Sequence, residues 1–222
     1  MKILALDAAL GPFSVALAVD GLVVSERSDC NDALEAGLGR VAALLTRAEL
    51  ALADLDRIAV GLGPGSFTGI RIALSFAKAL AYGAHVPLVG VSSYDILTPP
   101  DITGACLTAV SGRPGTLCAR LRSNGAETIA CGPTASVIDR LLGRQIVAGP
   151  LTIVAATETT LAEIAGDGTQ LRLVSPAARN PARILVQLAE QRRPGPSPHS
   201  LAPDYGEVPA VTMPKARTKS AR

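Results

Sequence analysis

The sequence predicts an α/β protein of two lobes, each built in the order β-β-β-α-β-α-β. Short apolar runs near the N-terminus alternate with polar residues as half-buried strands do. Longer segments with helical spacing then alternate with further short apolar runs, which is the order of βαβ units. The same order returns more faintly after residue 100. A hairpin meander followed by βαβ units indicates a mixed sheet with right-handed crossovers.

The first half of the chain contains the clearest elements. We expect strands at 2–6, 13–19, 22–26, 58–60 and 87–91, and helices at 33–52 and 71–82. Asp20-Gly21 predicts a two-residue hairpin turn, and Ser92-Ser93-Tyr94 predicts a short helix start. This order is that of the ribonuclease-H-like fold of the actin, Hsp70 and sugar-kinase superfamily, by analogy of pattern.

The second half predicts a degenerate copy of that topology. We expect strands at 105–110, 116–122, 127–130, 145–148 and 171–174, and helices at 134–143, 157–165 and 181–192. From Arg193 the composition changes to Pro, Gly and Ser, which is typical of an extended arm. The predicted division is an N-terminal lobe at 1–98, a second lobe at 99–193 and an arm with a disordered basic tail at 194–222.

Composition and charge exclude a nucleic-acid-binding surface on the folded body. Hydrophobic residues make up 48% of the 222 residues but aromatic residues only 3%, so few side chains can stack on bases. Four of the 21 basic residues lie in the last ten positions, which contain no acid. The remaining 17 basic groups face 19 acidic ones, so the body has a net charge of −2 and only the tail is basic.

The four cysteines and the N-terminus indicate a cytoplasmic protein. The cysteines lie far apart without a C-x-x-C pair, so we expect buried thiols in a reducing compartment rather than a zinc site or disulfide framework. Asp7 interrupts the first apolar run too early for a signal peptide, and no apolar run reaches the roughly 18 residues of a membrane helix.

A glycine-rich loop joins the strand at 58–60 to the next helix. Ser66 or Thr68 is placed to cap that helix, whose first N–H groups form a weak anion site. The loop is not a phosphate-binding Walker loop, because the nearest lysine is Lys78, and it lacks the G-x-G-x-x-G spacing. The candidate loop residues are Gly61, Gly63, Pro64, Gly65, Ser66, Phe67, Thr68, Gly69 and Arg71.

Both long helices carry small apolar residues opposite the stripe that we expect to face the core. The expected core stripes are Leu34, Leu38, Val41, Leu45, Ala48 and Leu52 in the first helix, and Ile72, Phe76, Ala79 and Leu80 in the second. Alanine is also simply a good helix former. Two such helices in succession nevertheless favour a helix-packing interface with another protein. The candidate interface residues are Ala36, Gly39, Arg40, Ala43, Arg47, Leu50, Leu74, Ala77, Lys78 and Ala81.

The residues that catalysis would need are incomplete. Asp7 and Ser14 fit the remnant of a phosphate-gripping hairpin, but the matching segment at 111–115 has no aspartate. A nuclease of this fold needs several carboxylates around metal ions, and only Asp7 is suitably placed. The two histidines, His85 and His199, lie in unrelated segments, so we expect neither a metal site nor a catalytic site.

The loop from Gly61 to Arg71 closely resembles the signature of the TsaB (YeaZ) family. The segments 2–7, 13–17 and 87–93 also match that family, so the resemblance is strong over residues 1–95. It is weaker afterwards: Arg113 and Gly115 fit, but the family's Asp, Glu and Tyr are replaced by Ser111, Thr116 and Cys118. The segment 203–206 is similar to the family's P-x-Y-x-R. Leu62 stands where the family usually has an arginine. Asn31-Asp32-Ala33 stands where family members often have His-Ser at the start of the first helix.

The resemblance implies a bacterial accessory subunit in the formation of N-threonylcarbamoyladenosine next to the tRNA anticodon. Such a subunit binds the catalytic protein TsaD through helices of its N-terminal half, and through TsaD the ATPase TsaE. ATP and metal then belong to the partners, tRNA is contacted through the complex, and the subunit has no cofactor of its own. The alternatives are a degenerate actin-like ATPase, a metallopeptidase-like (glycopeptidase-named) enzyme, or a stand-alone homodimer that uses the same helical faces.

Overall fold

The computed structural model contains two five-stranded mixed sheets with the same strand order. It describes residues 1–27, 33–143, 151–164, 170–173 and 180–206. The first sheet comprises β1 (Ile3–Asp7), β2 (Ser14–Val19), β3 (Leu22–Arg27), β4 (Arg57–Gly63) and β5 (Leu88–Ser92), in the order β3-β2-β1-β4-β5. The second comprises β6 (Ala105–Ser111), β7 (Thr116–Ser123), β8 (Ala126–Pro133), β9 (Leu151–Ala155) and β10 (Gln170–Leu173), in the order β10-β9-β6-β7-β8.

The pairing within the two sheets is also the same. The first strand of each lobe pairs antiparallel with the second and parallel with the fourth. Asp20 and Gly21 both have positive φ, 49° and 85°, so the predicted hairpin turn is confirmed.

The strand predicted at 145–148 lies outside the described residues. The predicted α/β class and the repeated ribonuclease-H-like order are confirmed.

Six α-helices lie among the described residues. They are α1 (Ala33–Arg47), α2 (Phe67–Ala84), α3 (Ser93–Leu97), α4 (Thr134–Leu142), α5 (Glu158–Ile164) and α6 (Pro181–Gln191). The prediction that the first helix continues to Leu52 is wrong, because Glu49 takes a left-handed φ of 54° and ends it. Leu52–Asp54 instead forms a short 3-10 turn, as does Pro198–Ser200. Within the described part of the chain, no helix has the length and hydropathy that crossing a membrane requires.

The last helix, α6, packs against the first sheet, although the strand before it, β10, belongs to the second sheet. α6 follows β10 in sequence, but Ala182, Leu185, Val186 and Ala189 are buried in a cluster with Ile3, Ala5, Ala16 and Ala18 of the first sheet. Arg57 at the start of β4 donates to the carbonyl oxygens of Ala189 and Arg192, at 2.6 and 2.9 Å. Sequence periodicity did not predict that α6 packs on the first lobe. This packing joins the two predicted lobes through a shared core.

The buried face of α2 differs from the predicted one, and that of α1 agrees with the prediction only in part. In α2 the expected outer residues Leu74, Ala77 and Ala81 are buried, with 5%, 0% and 1% exposure, so that part of the predicted partner interface is wrong. The expected core residues of α2 are the more open ones: Ile72, Phe76 and Leu80 are half-buried and Ala79 is exposed.

Gly37 lies where α1 packs against α2 and the first sheet. A Cβ atom there would lie 3.0 Å from the Phe76 ring and 3.4 Å from the Phe13 ring, so the helix approaches α2 and the sheet at this glycine. The buried face therefore runs through Gly37, Val41 and Leu44. Val41 and Leu45 are buried as predicted, whereas Leu34 and Leu38 of the same predicted stripe are 70% and 46% exposed.

An ionic cluster lies where α3, β7 and α6 meet. Asp95 accepts hydrogen bonds from Arg120 at 2.6 Å and Arg122 at 3.0 Å, and it also binds Arg192. Burial alone would raise the pKa of Asp95, but the hydrogen bonds and charges of Arg192 and Arg120 outweigh it and lower that pKa. Arg120 is only 3% exposed, so this carboxylate neutralises a buried cation between the lobes.

Candidate functional site

The glycine-rich loop is pressed against the tip of the first hairpin. A Cβ atom on Gly65 would lie 2.2 Å from the carbonyl oxygen of Ala9, and one on Gly69 would lie 1.8 Å from that of Ala8. The N–H of Ser66 donates to the Ala9 oxygen at 2.8 Å. Glycine is therefore required because two backbones meet here, and the loop closes over the hairpin.

The proposed phosphate-hairpin residues are fully buried beneath this contact. Asp7 and Ser14 both have 0% exposure. Oδ2 of Asp7 accepts from the N–H of Leu10 at 3.2 Å, and the Ser14 hydroxyl donates to the Asp7 carbonyl at 3.3 Å. A Cβ atom on Gly61 would lie 2.0 Å from Asp7 Oδ1. Asp7 and Ser14 thus hold the hairpin's own turn under the loop.

Ser66 rather than Thr68 caps α2. The N–H of Gly69 donates to the Ser66 hydroxyl oxygen at 3.2 Å, which satisfies one of the free donors at the helix start. Thr68 is exposed on the first turn. The peptide bond between Gly63 and Pro64, two residues before the cap, is cis.

A C-terminal segment, Leu201 to Gly206, crosses the other side of the loop. The N–H of Asp204 donates to the carbonyl oxygen of Leu62 at 2.8 Å. Gly63 has a φ of 99°, and a Cβ atom there would lie 2.2 Å from the Asp204 oxygen. The loop is therefore held between the first hairpin and this arm.

Tyr205 of the arm assembles the two large side chains of the loop. Arg71 Nε donates to the Tyr205 hydroxyl at 3.0 Å, and the Arg71 guanidinium lies 4.1 Å from the centre of the Phe67 ring. The Phe67 and Tyr205 rings are 4.5 Å apart, centre to centre. The loop motif contained Phe67 and Arg71 but not Tyr205, although the similarity of residues 203–206 to the P-x-Y pattern was a signal for it.

The outer surface of α1 is apolar and open to solvent. Leu34, Leu38 and Ala42 recur every fourth residue and are all exposed, so they share one face. We call these three residues the α1 outer face.

The predicted interface residues of α1 are divided by exposure. Gly39, Ala43 and Arg47 are exposed, and Arg47 pairs with Glu26 at 2.8 Å. Ala36, Arg40 and Leu50 are half-buried, as is Lys78 of α2.

The histidines have separate surroundings. His85 ends α2 in a left-handed conformation with φ 57°, and His199 lies beside the Tyr82 ring, 5.4 Å from centre to centre. In the described part of the chain, no three His, Cys, Asp or Glu side chains come together as metal ligands do.

Sequence comparison finds one matching family model and several similar proteins. Residues 35–179 match the family model described as TsaD, tRNA N6-adenosine threonylcarbamoyltransferase. The tRNA threonylcarbamoyladenosine biosynthesis protein TsaB of Escherichia coli strain K12 is 43% identical over 94 residues, 42% of this chain and 41% of that protein. An uncharacterised protein of Mycobacterium tuberculosis strain H37Rv is 30% identical over 156 residues, 70% of this chain and 68% of that protein. The match spans only about two fifths of the curated TsaB proteins of E. coli and Bacillus subtilis.

Solved structures give the same picture for the fold. YeaZ from Pseudomonas aeruginosa superposes with a TM-score of 0.66 at 25% identity, covering 85% of this chain and 90% of that one. A Pseudomonas aeruginosa protein described as uncharacterised and similar to peptidase YeaZ superposes with a TM-score of 0.71 at 23% identity. That alignment covers 93% of this chain and 99% of the other, so the two-lobed fold is shared over nearly the whole length.

Proposed function

This chain belongs to the family whose model is described as TsaD, and its named relatives are TsaB (YeaZ) proteins. On that premise we propose that it is a non-catalytic subunit for tRNA threonylcarbamoyladenosine formation. Its role is to bind a TsaD-like threonylcarbamoyltransferase and, through it, a TsaE-like ATPase. Contact with tRNA occurs through that complex. The E. coli and B. subtilis relatives are named for this biosynthesis, which supports the proposal.

The observation that carries the proposal is the α1 outer face. Leu34 and Leu38 are large apolar side chains, 70% and 46% exposed, on consecutive turns of one helix. Leucines arranged in this way on a helix favour packing against the ridges of another helix. Gly39 and Ala43, one position further along each turn, are small and exposed, and so allow a partner helix to approach closely.

The packing of the first hairpin supports the absence of an ATPase activity of its own. An actin-like ATPase holds phosphate between backbone N–H groups of such a hairpin. Here the tip is pressed against the glycine-rich loop, and the Ala8 and Ala9 carbonyl oxygens point toward Gly69 and Gly65. Carbonyl oxygens are acceptors and repel phosphate oxygens. We therefore propose that ATP and metal belong to the partner proteins and that this chain uses no cofactor.

Co-purification with the TsaD-like and TsaE-like proteins of the same organism tests the proposal. We expect the TsaD-like protein to elute with the tagged chain, and threonylcarbamoyl transfer to tRNA to depend on adding the chain. The chain alone should transfer nothing. Transfer by the chain alone, or a TsaD-like protein that never co-elutes, would contradict the proposal.

Two further measurements separate the alternatives. Calorimetric titration with Mg-ATP is expected to show no binding, and micromolar affinity would favour the degenerate ATPase. The α1 outer face also fits a second copy of this chain, so the mass in solution is measured with and without the TsaD-like protein. A homodimer that excludes the TsaD-like protein would favour the stand-alone reading.

A further inference from the structure

Two of the cysteines that lie far apart in sequence are brought opposite each other in the second sheet. Cys118 of β7 pairs in register with Cys131 of β8. A Cβ atom on Gly206 would lie 2.2 Å from Cys118 Sγ and 3.0 Å from Cys131 Sγ. The two sulphur atoms are therefore at most 5.2 Å apart, which is the sum of those two distances.

The backbone register at this position suits a disulfide. The hairpin turns through Asn124-Gly125, both with positive φ, so Ser123 and Ala126 form its closing hydrogen-bonded pair. Pairs along an antiparallel ladder alternate, which makes the Cys118–Cys131 pair a non-hydrogen-bonded one. Such pairs have Cα atoms about 4.5 Å apart, within the range of about 4.4–6.8 Å that a disulfide spans.

The two thiols differ in access to solvent. Cys118 is buried, with 3% exposure, whereas Cys131 is half-buried. The Tyr94 hydroxyl lies 3.8 Å from Cys131 Sγ. Burial, and then the neighbouring Cys131 and Cys118, raise the pKa of Tyr94, so its hydroxyl remains a proton donor beside that sulphur.

We propose that Cys118 and Cys131 form a reversible redox site, closed to a disulfide by a hydroperoxide. The Cys131 thiolate attacks the peroxide, the O–O bond breaks, and the products are Cys131 sulfenic acid and an alcohol, or water when the oxidant is hydrogen peroxide. Cys118 then attacks the sulfenic sulphur and water leaves. The two thiols lose two protons and two electrons, which reduce the peroxide. Gly206 lies directly over both sulphurs, so the site is placed beneath the arm that holds the glycine-rich loop.

Peptide mapping without reduction tests this site in the full-length protein. After stoichiometric hydrogen peroxide we expect a loss of two thiols, a cross-linked fragment that contains Cys118 and Cys131, and full recovery with dithiothreitol. The variant Cys131→Ser should form no such fragment. The double variant Cys30→Ser/Cys106→Ser keeps only Cys118 and Cys131, and its disulfide should form at the wild-type rate.

Cys106 provides the matched control. It lies on β6 opposite Arg122 and contacts Thr108 at 3.7 Å. The single variant Cys106→Ser should therefore leave the oxidation unchanged. Cross-links that always include Cys30 or Cys106 would overturn the proposal. So would oxidation of Cys131 to sulfinic acid with Cys118 still a thiol. The urea midpoint of the oxidised wild type should rise, and a fall would show that the native pair does not fit a disulfide.

Discussion

The two lobes share one topology, but different contacts hold the first hairpin of each lobe in place. In the first lobe the β4–α2 loop meets the hairpin backbone to backbone, at Gly65 and Gly69. In the second lobe Ser111, which ends β6 as Asp7 ends β1, bonds through its hydroxyl to Thr160 of α5, and Thr160 also bonds to Thr157 at 2.7 Å.

This difference explains why only the first lobe carries a recognisable glycine motif. A backbone contact at van der Waals distance tolerates no side chain, so the residue type is fixed. A contact between hydroxyls can be replaced by other polar or apolar pairs at modest cost. The duplicated fold is therefore retained while the second lobe loses the sequence signal.

Gly69→Ala is the strongest way to break the first-lobe contact. Its Cβ atom would lie 1.8 Å from the Ala8 oxygen, so the loop or the hairpin must move. We expect the free energy of unfolding to fall by about 3 kcal/mol. Urea denaturation measures it, with Gly39→Ala as control, because a Cβ atom on Gly39 meets nothing within 4 Å. Equal effects for the two variants would contradict the role of the close backbone contact.

Asp95→Asn tests the junction between the lobes. It removes the charge that neutralises Arg120, and we expect a loss of about 2 kcal/mol at pH 7. Because the pKa of Asp95 is lowered in the folded protein, its contribution is complete above the unfolded pKa of about 3.9. It is lost as the pH falls through the folded pKa.

The pH dependence gives Asp95 a specific signature. The wild type should lose more stability than Asp95→Asn when urea midpoints are compared from pH 6 down to pH 3. Parallel curves for the two proteins would show that the carboxylate is not responsible. Asp139→Asn, in α4 of the second lobe, is a carboxylate control and should follow the wild type.

Thr160→Val should have the smallest effect of the three. It keeps the shape of a side chain with 2% exposure but removes the hydroxyl shared with Ser111 and Thr157. We expect the unfolding free energy to fall by about 1 kcal/mol. A loss as large as that of Gly69→Ala would mean that the hydroxyl contact of the second lobe tolerates substitution no better than the backbone contact of the first lobe.

The order of elements was predictable from sequence, but the orientation of the helices was not. Strand alternation and the Asp20-Gly21 turn identify the meander from local signals alone. Alanine-rich helices have apolar residues all round, so periodicity cannot tell which face is buried. That choice depends on where Gly37 meets Phe76, which is a contact between distant segments.

Contacts between segments also explain what was missed at the candidate site. The motif indicated the loop, and its glycines were explained only when Ala8, Ala9 and Asp204 were placed beside them. The Cys118–Cys131 pair depends on the hairpin register, which spacing along the sequence does not reveal.

The central claim is that the α1 outer face binds a TsaD-like protein, and a calorimetric titration of that protein with Leu38→Glu tests it most directly. Leu38 is 46% exposed, so the charge should leave the fold intact while it weakens binding at least tenfold. Ile129→Glu, at a 47% exposed site of the second sheet, is the matched control and should bind as the wild type does. Wild-type affinity in Leu38→Glu, or an equal loss in Ile129→Glu, would contradict the claim.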